Sequence, residues 1–480
     1  MSQIKSTRTA LEASTSTNRS GVALKSLSCV LFGLILPLSA MGVDWEFKPR
    51  VSLQAIYTDN YLLSADDEES ETVYILTPGV SLRGKSDRLK LDFDYQLEGV
   101  KGKDNDEVYH QLSTRGTAEL AEDLFFLDAD ARYFQSLINS NGRITVDNVN
   151  PTVNRTDVFS ANISPYLRTR LAGDLDFLLK YRYGVVQYGD EEDAPVDSEI
   201  QEAAARLGNL DAAARKWSWQ VAAHSTQTDT DNVDAVEFRT ASASLGYRFT
   251  SRLQLVLDGG VDDNDFPGEE LTDTSNEFWN LSLRLGLGER DRLEAGFGNR
   301  YNDQVYRFLW AHSGRRVSLG LTYDHTLETT ANALAVQDAL ADSSTPDLFS
   351  TQPDVFTRKT LSFNTGIKLS RNNLGVTARY ERRESLIVTG DEQKVTTLNA
   401  FWNWHLGSRT DFNLSYLTGR QNNADQEDSE ITGYTVSFSR SFGPKWQGNL
   451  SYSNNQQKSD GDSQNEYQEN RFQVGVRGEF

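Results

Sequence analysis

The chain has 480 residues, 38% of them hydrophobic and 24% charged, with a formal net charge of −21 and a single cysteine. Such acidity argues against nucleic acid as a partner, because a polyanion is repelled. After the first 45 residues no stretch approaches the roughly 20 apolar residues of a membrane helix, and one cysteine makes no disulfide framework.

The N-terminus carries Lys5, Arg8, Arg19 and Lys25 against one acid, Glu12. The apolar run Val30-Leu31-Phe32-Gly33-Leu34-Ile35-Leu36-Pro37-Leu38 follows, then the small residues Ser39, Ala40 and Gly42. A basic segment, a short apolar run and a small-residue site predict a secretory signal over residues 1–42, cleaved after Ala40 or Gly42. The run is too short for an anchor, and Pro37 interrupts it. Cys29 precedes most of the run, whereas a lipoprotein cysteine follows it, so Cys29 leaves with the signal. The mature chain then has a net charge of about −24.

From about Asp44 onward one pattern repeats. Leu89, Leu91, Phe93, Tyr95 and Leu97 alternate with Lys90, Asp92, Asp94, Gln96 and Glu98. The alternation returns at Phe125 to Tyr133 around Asp128, Asp130 and Arg132. It returns at Leu175 to Val185 around Asp176, Lys180 and Arg182, and again at Val317 to Tyr323 and Leu374 to Tyr380. Side chains on a strand point alternately to opposite faces, so each run is a strand with one apolar and one polar face.

Short polar turns precede these strands, such as Gly84-Lys85-Ser86-Asp87, Thr250-Ser251-Arg252, Ser370-Arg371-Asn372-Asn373 and Gly443-Pro444-Lys445. Longer acidic linkers follow them, such as Ser64 to Ser70, Thr228 to Asn232 and Asp262 to Asp265. The longest runs from about Leu327 to Lys359, with a helical stretch expected near Ala331 to Val336. Short turns are expected to alternate strictly with long loops. Tyr95, Tyr183, Tyr301, Tyr323 and Tyr380 recur at one depth beyond the turns, as an aromatic girdle at a lipid interface requires.

The last strand sets Phe472, Val474, Val476 and Phe480 on one face, and the chain stops on the aromatic Phe480. This is the form of a terminal assembly signal read by the barrel assembly machinery. The fold class expected is therefore all-β. Residues 43–480 form one transmembrane antiparallel β-barrel of about 22 strands, with short periplasmic turns, long extracellular loops and no separate plug domain.

The polar face supplies the candidate lumen lining: Lys90, Asp92, Asp94, Asp128, Asp130, Arg132, Arg168, Arg170, Lys180, Arg182, Arg284, Arg379 and Glu381. Such a lining serves either structural ion pairs or a translocation path. A charge on the outward face, as in Phe93→Arg or Leu179→Arg, is expected to destabilise. Inward changes such as Asp94→Arg and Lys180→Glu are expected to be tolerated. The five histidines, His110, His224, His312, His325 and His405, have no metal-ligand spacing. No nucleophile–base pairing, P-loop or dinucleotide fingerprint stands out, so neither an enzyme nor a cofactor is expected. The acidic loops read as solvated faces, with weak divalent-cation binding shared with lipopolysaccharide phosphates as the alternative.

Three stretches carry a family resemblance: Thr58-Asp59-Asn60 after the first strand, Leu76-Thr77-Pro78-Gly79-Val80 with the hairpin through Tyr95, and Tyr306-Arg307-Phe308 through Tyr323. Together they resemble the outer-membrane barrels associated with the PEP-CTERM sorting system, within the β-barrel porins of exopolysaccharide loci. The resemblance implies an outer-membrane location in a Gram-negative bacterium, and contact with lipid, lipopolysaccharide and polysaccharide-export components. It implies a channel for export of polysaccharide or sorted surface proteins. The alternative is a non-conducting scaffold or receptor barrel with cation-binding acidic loops. A barrel of about 22 strands is too wide for its own wall side chains to fill, so loops, water or a ligand must occupy it. The Leu327–Lys359 loop is the expected occluding segment.

Overall fold

In the computed structural model, residues 42–480 are described except 104–105, 140–141, 172, 192, 211–214, 268–273, 289, 337–347, 424–425 and 461–464. The expected signal and Cys29 lie outside the described residues. The strands are β1 Asp44–Thr58, β2 Glu71–Lys85, β3 Leu89–Lys101, β4 Asp106–Ala121, β5 Phe125–Leu137, β6 Arg155–Leu171, β7 Leu175–Tyr188 and β8 Ser198–Gly208. They continue as β9 Trp217–Thr230, β10 Val236–Thr250, β11 Leu253–Asp265, β12 Glu277–Gly286, β13 Asp291–Arg300, β14 Asp303–Ser313 and β15 Val317–Thr329. One short helix, α1 Thr330–Ala335, precedes β16 Val355–Lys368, β17 Asn372–Ser385, β18 Glu392–His405, β19 Thr410–Asn423, β20 Gln426–Ser441, β21 Trp446–Ser459 and β22 Tyr467–Glu479.

All 22 strands form one sheet in which each pairs antiparallel with its neighbours in sequence. The sheet closes because β1 also pairs with β22, from Arg50 opposite Glu479 to Thr58 opposite Arg471. A closed sheet leaves no edge, which is what a bilayer requires of a spanning sheet. The outward parity carries Leu53, Leu179, Tyr181, Leu257, Leu283, Phe438 and Leu450, all well exposed. Those side chains have no protein partner to bury them; lipid is the solvent that fits them.

The connections are asymmetric, but not strictly so. At the end where β1 begins, most turns are short, as at Ser86 to Arg88 between β2 and β3. The turn between β8 and β9 is longer, residues 209–216. At the opposite end the β13–β14 hairpin closes on two residues alone, Tyr301 and Asn302, both with positive φ of 57° and 54°. Two successive left-handed residues make the hairpin turn whose twist matches its strands. Hence Tyr301 does not belong to a girdle. It sits in the turn, with the Arg300 guanidinium 4.8 Å from its ring and the His325 ring edge-on at 5.9 Å. Counting residues from the preceding turn placed it on a strand that had already ended.

Candidate functional site

The wall is polar on its inner parity, and the outer end of the space it encloses holds the chain's own loops. Two segments fold inward where they are described: residues 138–139 and 142–154 between β5 and β6, and residues 330–336 and 348–354 between β15 and β16. The strands flanking the second segment run further than the sequence suggests, to Thr329 and from Val355.

Helix α1 is capped by Thr329, whose hydroxyl accepts from the Asn332 N–H at 3.1 Å. Thr at an N-cap satisfies one of the amides left free by the first turn. The apolar residues Ala331, Leu334 and Ala335 pack on Val158, Val186, Tyr188 and Ile200 of the wall. Arg182 donates to the Asn332 side chain at 2.6 Å, and Asn162 donates to the Ala335 carbonyl at 2.7 Å. Arg182 also ion-pairs with Glu202 at 2.7 Å, so its buried charge is compensated.

The 138–154 segment reaches β21 and β22, on the other side of the closing seam from β5. Its Ile144 N–H donates to Gln457 at 2.8 Å, and its Ile144 carbonyl accepts from the Tyr467 hydroxyl at 2.7 Å. Arg471 of β22 ion-pairs with Asp147 at 2.6 Å and Glu469 at 2.8 Å, and it donates to Asn150. Asn150 in turn donates to the Tyr61 carbonyl at 2.9 Å and to Glu469 at 3.0 Å. The two inward segments support each other. Ile144 and Leu348 share one apolar cluster with Leu137, Val395 and Ile431, drawn from β5, β18 and β20. Thr351 donates to the Leu137 carbonyl and Ser350 to the Ile138 carbonyl, each at 3.0 Å.

The Thr58-Asp59-Asn60 stretch stitches the closing seam at this same end. The Thr58 hydroxyl donates to Glu469 at 2.6 Å, and Asp59 accepts from the Asn470 backbone and side chain at 2.7 and 2.8 Å. Asn60 is fully buried and donates to the Gln468 and Ser64 carbonyls at 3.0 and 2.7 Å.

Cross-strand register gives the position of each residue of the polar face. Asp92 stands opposite Arg115, which stands opposite Asp130; Asp94 is linked in the same way through Ser113 to Arg132. Lys90 and Asp128 lie across from Thr117. Arg168, Arg170, Lys180 and Arg182 fall on the same parity, opposite Leu178, Asp176, Tyr166 and Glu202. Arg284 pairs with Glu294 at 3.4 Å, and Glu381 holds Arg383 at 2.7 Å and also pairs with Arg379. Asp94 takes Arg50 in two contacts and accepts from Ser81 at 2.6 Å. Arg284–Glu294 joins neighbouring strands, the Glu381 pairs lie along β17, and Arg50–Asp94 reaches from β1 over β2 to β3. The link from the wall to the 138–154 segment runs instead through Asp147. Phe472, Val474, Val476 and Phe480 lie on the outward parity, 55%, 58%, 39% and 48% exposed. Among the described residues no three His, Cys, Asp or Glu side chains gather as a metal site.

The residues that sequence reasoning missed are those of the 138–154 segment and their partners Gln457, Tyr467, Glu469 and Arg471. A signal was present, since Ile144, Val146 and Val149 are aliphatic residues within a polar loop.

A closed 22-strand antiparallel barrel with an apolar outer wall is an outer-membrane β-barrel, and the chain is one. No family model and no curated protein matches it. Among solved structures it is similar to the siderophore receptor PirA from Acinetobacter baumannii. The identity is 10% and the TM-score 0.53, over 91% of this chain and 80% of that one. It is also similar to the ferric enterobactin receptor PfeA from Pseudomonas aeruginosa, in complex with BCV-L6. There the identity is 11% and the TM-score 0.51, over 91% of this chain and 81% of that one. At such identities the likeness is one of fold.

Proposed function

We propose that the chain is an outer-membrane receptor barrel, closed at rest by its own loops and opened when a ligand binds at its long-loop face. The observation that carries this reading is the pinning of Asp147 and Asn150 by the buried Arg471. A permanently open conduit has no use for a segment strapped across it by a buried cation. A receptor does, because ligand contacts can compete with such a strap and shift a two-state element. The solved barrels of similar fold are receptors for siderophores, so ferric enterobactin is the first ligand to test.

The export reading, for polysaccharide or sorted surface proteins, requires a conducting lumen. Planar-bilayer recording separates the two. The receptor reading expects an intact barrel that is silent and a barrel lacking residues 139–153 and 331–353 that passes stepwise currents. Steady current through the intact protein would instead favour the channel. Quenching of tryptophan fluorescence by ferric enterobactin, with saturation, would identify the ligand class.

A further inference from the structure

One side chain stands apart on the inner wall. Phe401 of β18 has inward parity, since its neighbours Ala400 and Trp402 pair with the outward Val376 and Leu374. It is nonetheless 42% exposed. Every other large apolar strand residue of comparable exposure, among those described, has outward parity. Phe401 lies toward the short-turn end, six residues along β18 from Val395, against which Leu348 of the inward loop packs. About 20 Å of strand therefore separates the ring from the loops.

The ring has a prepared seat. It lies over Gly375, its direct partner on β17, where a Cβ would come within 2.3 Å of it. Rings cover glycines elsewhere in the wall, as Trp45 covers Gly84 and Trp446 covers Gly478, but those rings are on the outward parity. Phe401 turns its open face to the lumen. An apolar face left in water is unfavourable, and a ligand that covers it removes that cost.

The surroundings define the ligand. Asn399 and Asn403 flank Phe401 on the same parity, and their side-chain amides hydrogen-bond no described residue. Asn413, opposite Asn403, donates to Ser437 at 3.3 Å. Across β18 to β21 no inward position from Gln393 to Asn403, Asn413 to Asn423, Ser429 to Ser441 or Gln447 to Ser459 carries a charge. The same face of β3 to β5 carries Asp92, Asp94, Arg115, Asp128 and Asp130. The inner wall thus has a charged arc and an uncharged one, and the bare ring belongs to the second.

An ion on the uncharged arc gives up hydration and meets no opposite charge. An amide offers donors and an acceptor together, which suits a hydroxyl that is itself both. The negative face of a phenyl ring attracts C–H groups, and one face of a sugar ring presents several. We propose that Phe401, Asn399 and Asn403 form a stacking platform for an uncharged sugar ring of an oligosaccharide, reached from the short-turn end of the lumen. Phe401 takes the C–H face and the two amides take the hydroxyls at its rim. This platform lies away from the receptor mouth and does not depend on that reading.

Calorimetric titration of the full barrel tests it, in an amine-oxide detergent whose headgroup is not a sugar, with maltohexaose as the probe. The wild type is expected to bind saturably. Phe401→Ala is expected to bind roughly tenfold more weakly or worse, the scale of one lost stacking contact. Phe401→Leu keeps apolar bulk without a flat face and is expected to lose as much, whereas Phe401→Trp is expected to retain binding. Hexagalacturonate, with a carboxylate on every ring, is expected to bind the wild type at least tenfold more weakly than maltohexaose. Heat-modifiable migration reports that each variant is folded. Absence of saturable binding by the wild type overturns the proposal. So does equal binding by the wild type and folded Phe401→Leu, or equal binding of the two sugars.

Discussion

Arg471 on the last strand and Asp147 in the β5–β6 segment meet at 2.6 Å across 324 residues of sequence. The Arg471 side chain is 6% exposed, while Asp147 is 44% exposed. Glu469 also serves the guanidinium, so removing Asp147 leaves it compensated, whereas removing Arg471 leaves the buried Glu469 without its cation and releases Asp147, with Asn150 kept only by its bonds to Tyr61 and Glu469. Breaking a buried pair from one side costs about 3–5 kcal/mol. Arg471→Met is therefore expected to free the 138–154 segment, seen as faster proteolysis there and as bilayer current. Asp147→Ala should have a smaller effect. Equal protection in wild type and Arg471→Met would show that the segment is held by its apolar contacts instead.

The two parities of β7 and β3 respond differently to charge. Leu179 is outward and 45% exposed, so Leu179→Arg places a guanidinium in lipid and costs roughly 2–4 kcal/mol near mid-depth. The inward change Lys180→Glu is expected to be tolerated. Asp94→Arg is not, contrary to the expectation from parity alone. Asp94 holds Arg50 and Ser81, so the new guanidinium would face Arg50 and leave it unpaired. Urea unfolding followed by heat-modifiable migration measures all three. A tolerated Asp94→Arg would mean that the Arg50 contact contributes nothing.

Parity is what sequence reveals about such a fold, and depth and partners are what it hides. A period of two fixes which face of Leu89–Lys101 is apolar without any knowledge of neighbours. The inner partner of Asp94 lies two strands back at Arg50, and no local pattern announces it. The same holds more strongly for Ile144, whose amide and carbonyl are satisfied by Gln457 and Tyr467 at the other end of the chain. Its loop is polar enough to read as solvated, and only its few aliphatic residues hint at burial. The 330–354 segment was legible as a long loop with a helical stretch near Ala331. Its seat on Val158, Val186 and Ile200 required the closed barrel.

The closing seam gives a third prediction. The Phe480 amide donates to the Pro49 carbonyl at 3.0 Å, its ring meets Trp446 edge-on at 5.5 Å, and the Lys445 ammonium lies 5.2 Å from the ring. These contacts join β22 to β1 and to the β20–β21 turn. They lie at one end of a long ladder, so deleting Phe480 is expected to leave spontaneous refolding into detergent nearly unchanged. Assembly in cells is expected to fall sharply, because the terminal aromatic is the feature proposed to be read by the assembly machinery. Comparing folded yield in the two settings tests this. An equal fall in both would make Phe480 a structural residue alone.

The last prediction concerns pH and the outer mouth. Asp354 ends the inward 330–354 segment, where its carboxylate accepts from the Ser385 hydroxyl at 2.7 Å. Burial pushes its carboxyl up from 3.8 to about 6, and nearby Asp391 adds to the rise. The Ser385 and backbone hydrogen bonds and Arg383 oppose it. A carboxyl whose pKa is raised on seating binds more protons seated than released. Its contribution is complete below pH about 4, is lost as pH rises through about 6, and is flat above that. The full swing is at most roughly 3 kcal/mol, and less because the group keeps some contact with water. The segment is therefore expected to be seated more firmly at pH 4.5 than at pH 7.5. Protease cleavage within 330–354, using an enzyme active at both values, should be slower at the lower pH. Asp354→Asn is neutral at every pH and should remove the dependence while keeping a partner for Ser385. Cleavage that slows with rising pH, or a dependence that survives in Asp354→Asn, would assign the titration to another group.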